Sequence, residues 1–218
     1  MFWAERAVFD DRAHAGRRLA ERVAELELAD PVVVAIPRGG VAVGVEVAQK
    51  LGAPLGIAAV RKIPLPWNPE AGYGAVAVDG TFFADERVMR QLGISREETE
   101  RLAQRVQAEV QRRAQRFGKL SREAVAEREC VLVDDGLAAG YSMRAAILLV
   151  RKMNPRKLIV AVPVSPKHTA QEIAPMADEF ICLHISEAMP FAVASFYREW
   201  HDMTDAEVLQ LLDNVARA

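Results

Sequence analysis

Val131-Leu132-Val133-Asp134-Asp135-Gly136-Leu137-Ala138-Ala139-Gly140-Tyr141-Ser142 is the stretch on which the fold turns. A short apolar run ends in two adjacent carboxylates, and a loop of small residues then feeds a helix. An unbroken apolar run of this length, with Cys130 before it, suits a strand buried on both faces of a parallel sheet. Small loop residues let backbone N–H groups come close to an anion, and the helix start adds its positive dipole end. Ser142 can donate its hydroxyl to the same anion. Two carboxylates beside a bound phosphate would repel it unless they face polyols or a metal. The arrangement suits a phosphorylated sugar, with phosphate on the loop, hydroxyls on Asp134 and Asp135, and Mg²⁺ balancing charge.

Reading outward, the same pattern recurs. Residues 11–27 read as a helix, with Ala15, Leu19, Val23 and Leu26 on one face. Residues 32–36 form a first buried strand, residues 37–40 a turn, and residues 41–51 a helix stopped by Gly52 and Pro54. Residues 55–60 read as a second strand, ending in Arg61-Lys62. Residues 64–70 carry Pro64, Pro66 and Pro69 and read as a loop. Residues 74–83 read as a hairpin turning at Asp79-Gly80. Ser95 and Glu98 form a capping box that opens a long charged helix to about Phe117. Its apolar stripe (Leu102, Val106, Val110) is narrow, so it reads as a solvated arm packed on one side. Further on lie a helix over residues 140–153, a strand over 157–162, a turn over 163–166, a helix over 168–177 and a strand over 179–183. Thr204 and Glu207 cap a last helix.

Strands alternating with helices imply a doubly wound α/β fold of three layers with about five parallel core strands. Ligands of such sheets bind at the carboxyl ends of the strands. The Arg38-Gly39-Gly40 turn and the loop from Asp134 to Ser142 both fall there. The chain's 218 residues read as one domain, with an inserted loop, hairpin and arm at about 64–128.

Several function classes drop out. A net charge of −2 argues against a DNA-coating protein, and the arginines of the arm are interleaved with glutamates, so no nucleic-acid partner is expected. No apolar run reaches the length of a membrane span, and the start of the chain lacks a basic-then-apolar leader, so a cytoplasmic location is expected. Cys130 and Cys182 lie far apart in apolar runs, without zinc-site spacing. The four histidines show no ligand spacing. Phe196-Tyr197 and Trp200 could stack on a base, although their spacing also suits core packing.

The stretch around Asp134 and Asp135 resembles the phosphoribosyl-diphosphate (PRPP) signature of type I phosphoribosyltransferases. Ile36-Pro37-Arg38-Gly39-Gly40 resembles that family's pyrophosphate loop. The resemblance covers nearly the whole chain, including Asn68-Pro69-Glu70 and Phe196-Tyr197, and is with a little-characterised branch. It implies transfer of a 5-phosphoribosyl group from PRPP to a nitrogenous base or related nucleophile, with Mg²⁺ and release of pyrophosphate. It also implies roles. Asp134 and Asp135 would hold the ribose 2′- and 3′-hydroxyls, directly or through Mg²⁺. Gly136, Ala138, Ala139, Gly140, Tyr141 and Ser142 would cradle the 5-phosphate. Arg38, Gly39 and Gly40 would meet the pyrophosphate, and Arg61 and Lys62 would stabilise it as it leaves. Residues 64–74 would close over the site. The family's base-recognising hood falls on residues 2–12 and 186–200, and a homodimer is compatible with the resemblance. Two positions depart from the pattern. Ala139 stands where the family has a threonine, which favours an alternative reading as a non-catalytic PRPP or nucleotide-binding regulator. Ala138 stands where 6-oxopurine enzymes carry an acid, which disfavours hypoxanthine-guanine chemistry.

Overall fold

The computed structural model describes residues 7–65 and 67–216. Residues 1–6, read above as lacking a leader and as part of a hood, lie outside the described residues, as does Pro66. The chain opens with α1 (Arg12–Ala24), whose cap Asp11 accepts the His14 N–H at 2.6 Å. Next come β1 (Pro31–Ala35), α2 (Gly39–Leu51) and β2 (Leu55–Ile57). A three-stranded unit of β3 (Val60–Leu65), β4 (Asn68–Ala77) and β5 (Phe82–Ala84) leads into α3 (Glu86–Leu92) and α4 (Arg96–Phe117). The core resumes with β6 (Glu129–Val133), α5 (Tyr141–Arg151), β7 (Lys157–Pro166), α6 (Lys167–Ile173), β8 (Glu179–Ser186) and finally α7 (Asp205–Ala216).

Five strands form one parallel sheet in the order β2-β1-β6-β7-β8, as the alternating pattern implies. Val33, Val131 and Ile159 lie level across its centre. Neighbouring residues on each strand face opposite sides, and both sides are apolar. Val32, Val34 and Leu132 pack against Ile147 and Val150 of α5, whereas Val33, Ala35 and Val133 pack against Leu19, Val41 and Val208 of α1, α2 and α7. This two-sided burial explains the continuous apolar runs in the sequence.

Three local expectations need correction. Residues 55–60 are not one strand. The parallel sheet ends at Ile57, which pairs with Ala35, and Val60 pairs instead with Ala77 in a second, antiparallel sheet of order β3-β4-β5. Residues 64–70 are largely strand rather than loop, since Pro64 pairs with Gly72 and Leu65 with Asn68. β3 is an edge strand with register shifts on both sides of Pro64, and a proline is tolerated in that setting because no ladder N–H is required of it. Residues 163–166 continue β7 instead of turning. Beyond Ala161 the strand has β8 as its only ladder partner, so Pro163 and Pro166 again fall where pairing is one-sided. The short helix α3 was not anticipated.

The second sheet is sandwiched. Val60, Ala75 and Ala77 face the α5 side, while Ile63, Tyr73 and Val76 face Ala103, Val106 and Val110 of α4. The arm helix is therefore amphipathic and packed along one side. Among the described residues, no helix is long and apolar enough to cross a membrane.

Candidate active site

The ends of β1 and β6 bring the two predicted loops into contact. A side-chain carbon added at Gly40 would lie 2.9 Å from the Asp134 Cα, and one at Gly39 would lie 1.8 Å from an Asp135 carboxylate oxygen. Glycine is required at these positions because the loops touch backbone to backbone and backbone to carboxylate.

Beside this contact lies a cavity of about 470 Å³. It is lined by Asp134, the loop from Gly136 to Met143, and Lys62 and Gly72 of the β3–β4 hairpin. Thus Lys62, Asp134, Gly136, Ala138, Ala139, Gly140, Tyr141 and Ser142 all line one cavity. The loop is pinned from behind. The Thr169 hydroxyl donates to the Ala138 carbonyl at 2.7 Å, and the Leu137 N–H to the Val164 carbonyl at 2.9 Å. Gly140 adopts a left-handed conformation (φ 74°) as the cap of α5 and offers no side chain to the first-turn N–H groups. Uncapped donors of this kind at a helix start suit an anion. Tyr141 is also held from its side chain. Its ring stacks on Phe83 with centroids 6.0 Å apart, and its hydroxyl lies 3.4 Å from an Asp85 oxygen. Ala139 is exposed at the rim. Ala139→Thr should therefore tighten phosphate binding by about 2- to 10-fold, the value of one added hydroxyl donor. Weaker phosphate binding in a calorimetric titration would mean that the loop does not cradle the anion.

The two acids differ. Asp134 lines the cavity, and its carboxylate accepts the Asp135 N–H at 2.9 Å. Burial, reinforced by the Asp135 charge, holds the Asp134 carboxyl well above the usual carboxylate range. The Asp135 carboxylate turns away from the cavity towards Gly39 and accepts Nε–H of Arg12 at 2.7 Å. Burial raises its pKa, and the Arg12 guanidinium opposes that rise.

Arg61 does not line the cavity. Adjacent residues of β3 face opposite sides, so Lys62 meets the loop while Arg61 pairs with Glu109 of α4 at 2.9 Å. Arg38 lies 3.8 Å from Asp205 at the start of α7, and Asp205 also pairs with Arg116 at 2.7 Å. Glu109, Arg113 and Arg116 recur at spacings of four and three, so they share one face of α4. Burial and the charges of Arg38 and Arg61 push the Arg113 pKa down, partly offset by Asp205. Four guanidinium groups and two carboxylates thus form one charged cluster that includes Arg38, the residue before Gly39.

Arg12 and Arg113 were missed by the sequence reading. Both sit in arginine-rich helices, α1 and α4, whose charged positions read as a solvated face. A signal did exist for Arg12, since a cation at the first residue of a helix opposes the dipole and needs a partner. Phe196 and Tyr197 are buried, and Trp200 carries the Arg12 guanidinium 3.7 Å over its ring.

No group of three metal-ligating side chains occurs among the described residues. Asp134, with Asp135 engaged by Arg12, suits a magnesium ion that takes most of its oxygen ligands from a diphosphate and water.

Comparison with known proteins finds relatives in sequence and in fold. A protein of Mycobacterium tuberculosis H37Rv named "Putative phosphoribosyl transferase" is 38% identical over 211 residues, which is 96% of this chain and 47% of that protein. The chain therefore spans about half the length of the curated relatives it matches. The crystal structure of TT1426 from Thermus thermophilus superposes with a TM-score of 0.77 at 37% identity, covering 94% of this chain and 97% of that one. A hypothetical protein from Neisseria gonorrhoeae with bound ppGpp shares the fold at 10% identity, with a TM-score of 0.52 over 96% of this chain and 97% of that one. The family model of the phosphoribosyl transferase domain matches residues 76–199, which include the acidic pair and the loop after it, and the chain belongs to that family.

Proposed function

We propose that the chain binds PRPP and transfers its 5-phosphoribosyl group to a nitrogenous base or related nucleophile. A C–N bond forms at C1 of the ribose as the bond from C1 to the diphosphate oxygen breaks. The bonding electrons leave with pyrophosphate, and the nucleophile's proton passes to solvent. The observation that carries this reading is the cavity in which Asp134, the uncapped start of α5 and Lys62 converge.

The residues divide the substrate between them. The first-turn N–H groups of α5 and the Ser142 hydroxyl take the 5-phosphate. Asp134 takes ribose hydroxyls. Lys62 and the N–H groups of Gly39 and Gly40 face the diphosphate, where charge grows in the transition state and fixed donors act most strongly. Asp134 would hold Mg²⁺ beside the diphosphate, and the ion would supply further neutralisation of that charge. The hairpin of residues 64–74 would cover the site and keep water from the activated sugar. In this reading residues 64–128 are the cover of a single domain, and the free cysteines Cys130 and Cys182 accord with a cytoplasmic location.

In this reading Arg113, which feels the charge of Arg38 beside Gly39, would serve the diphosphate end. Arg113→Ala should weaken binding of inorganic pyrophosphate about tenfold, the value of a charge-assisted contact, and leave ribose 5-phosphate binding unchanged. Equal losses for both ligands would place Arg113 outside the diphosphate end.

Ala139 favours a second reading, in which the cradle is kept for sensing PRPP and turnover is lost. The deciding experiment measures pyrophosphate release from PRPP with Mg²⁺ and a panel of bases. Base-dependent release supports the transferase. Binding of PRPP with no release supports the regulator, and base-independent release indicates hydrolysis. Both readings fail if PRPP with Mg²⁺ leaves the melting temperature unmoved.

A further inference from the structure

We infer that Arg12 is a positioning residue for sugar recognition, acting through Asp135 on the orientation of Asp134. The inference rests on the reading of the cavity as a phosphoribosyl site and adds to it a device outside the cavity.

Arg12 is 8% exposed and engaged on three sides. Its Nε–H donates to Asp135 at 2.7 Å, a terminal N–H donates to the His201 carbonyl at 3.0 Å, and the guanidinium plane lies over the Trp200 ring. The segment that presents His201 and Trp200 is itself fastened to the entry of α1. The Phe9 N–H donates to the Phe196 carbonyl, and the Arg198 N–H returns to the Phe9 carbonyl, each at 2.9 Å. From the same segment the Tyr197 hydroxyl donates to the backbone carbonyl of Asp135 at 2.6 Å. Asp135 is thus gripped by side chain and by backbone.

The grip has a path to the ligand. Asp135 passes it on through its N–H, which holds an Asp134 carboxylate oxygen at 2.9 Å. The Asp135 carboxylate also occupies the space above Gly39. The chain of contacts therefore runs from Arg12 to Asp135 to Asp134, and only the last lines the cavity. A guanidinium suits this task because its planar donors fix direction as well as charge. The first-turn donors of α5 lie off this chain, so the phosphate end of the site does not depend on it.

The test compares binding of ribose 5-phosphate, 2-deoxyribose 5-phosphate and inorganic phosphate by titration calorimetry. Arg12→Met should reduce the preference for ribose over deoxyribose about tenfold, while phosphate affinity stays within about twofold. Arg12→Lys should recover part of the preference, as a salt bridge without the planar fork. In an Asp135→Ala background, which removes the acceptor of the Arg12 Nε–H, Arg12→Met should change the preference no further. Trp200→Leu keeps the ion pair, removes the ring beneath it, and should give a smaller loss of the same sign, which preserves the test if Arg12→Met does not fold. Unchanged preference in Arg12→Met, or in Trp200→Leu where that variant alone folds, overturns the inference. So does a loss of phosphate affinity equal to the loss for ribose 5-phosphate, which would mark a merely structural pair. A wild-type protein that binds ribose 5-phosphate no better than its deoxy analogue instead overturns the reading of Asp134 itself, and the inference with it.

Discussion

Asp134→Asn is expected to weaken PRPP binding by about 10- to 150-fold, the span of a hydrogen bond made to a charged group. The substitution preserves shape, so the loop should keep its place. Asparagine replaces one of two acceptor oxygens by a donor, and it removes the charge that draws in hydroxyls and a chelated cation. The same change acts on stability in the opposite direction. Burial and the Asp135 charge hold the Asp134 carboxyl above its usual range, so the folded protein keeps a proton that the unfolded chain releases near about pH 3.9. A group raised in this way contributes stability that is complete below the unfolded pKa and is lost as pH rises through the folded one. The ligand-free wild type should therefore lose this contribution on going from acid to neutral pH, and Asp134→Asn should flatten that fall and melt higher at neutral pH. Higher melting without ligand and weaker binding with it are the paired outcome, read by thermal melts across pH with and without PRPP. Wild-type affinity in the variant would take Asp134 out of the site. An unchanged pH dependence would mean that its carboxyl is well solvated.

This opposition explains why so much of the site was legible in the sequence. Two adjacent carboxylates at the end of a buried strand are a local cost that a cation, a donor or a ligand must offset, so Asp134 and Asp135 stand out in an otherwise apolar stretch. The core strands were legible for a related reason. Burial on both faces leaves no polar alternation, and residues 32–36 and 130–133 can hardly be read otherwise. The β4–β5 turn at Asp79-Gly80 was legible, but the β3–β4 hairpin was not, because its prolines signal loops unless the strand is at an edge, and edge position is a property of the whole sheet. The opposite fates of Arg61 and Lys62 follow from that hairpin: once residues 60–65 are a strand, neighbours must part company. Arg12 and Arg113 were hidden because an arginine in an arginine-rich helix looks the same whether water or another element faces it. The division of labour within the acidic pair was hidden too, since adjacency in sequence says nothing about which carboxylate a distant helix will claim.

Gly39→Ala is the sharpest test of that division. The added methyl would lie 1.8 Å from an Asp135 carboxylate oxygen, 2.5 Å from its carbon and 3.0 Å from Arg12 Nε, so neither partner can stay where it is. Overpacking alone costs about 1–3 kcal/mol, and separating a buried ion pair about 3–5 kcal/mol. A loss of at least about 3 kcal/mol is expected, which lowers the melting temperature of a chain of this size by about 6–12 °C. Gly52→Ala is the control. It also replaces a glycine of α2, at its left-handed cap (φ 59°), but nothing lies within 4 Å of the new methyl, so it should cost only the conformational penalty of about 1–2 kcal/mol. Asp135→Ala makes room for the methyl, so Gly39→Ala should cost much less in that background than alone, giving a coupling that two independent sites would not show. If Gly39→Ala and Gly52→Ala melt alike, the contact between the turn and the acidic pair is a loose one. In that case Arg12 and Asp135 can shift without strain, and the second acid is free to turn into the cavity beside the first.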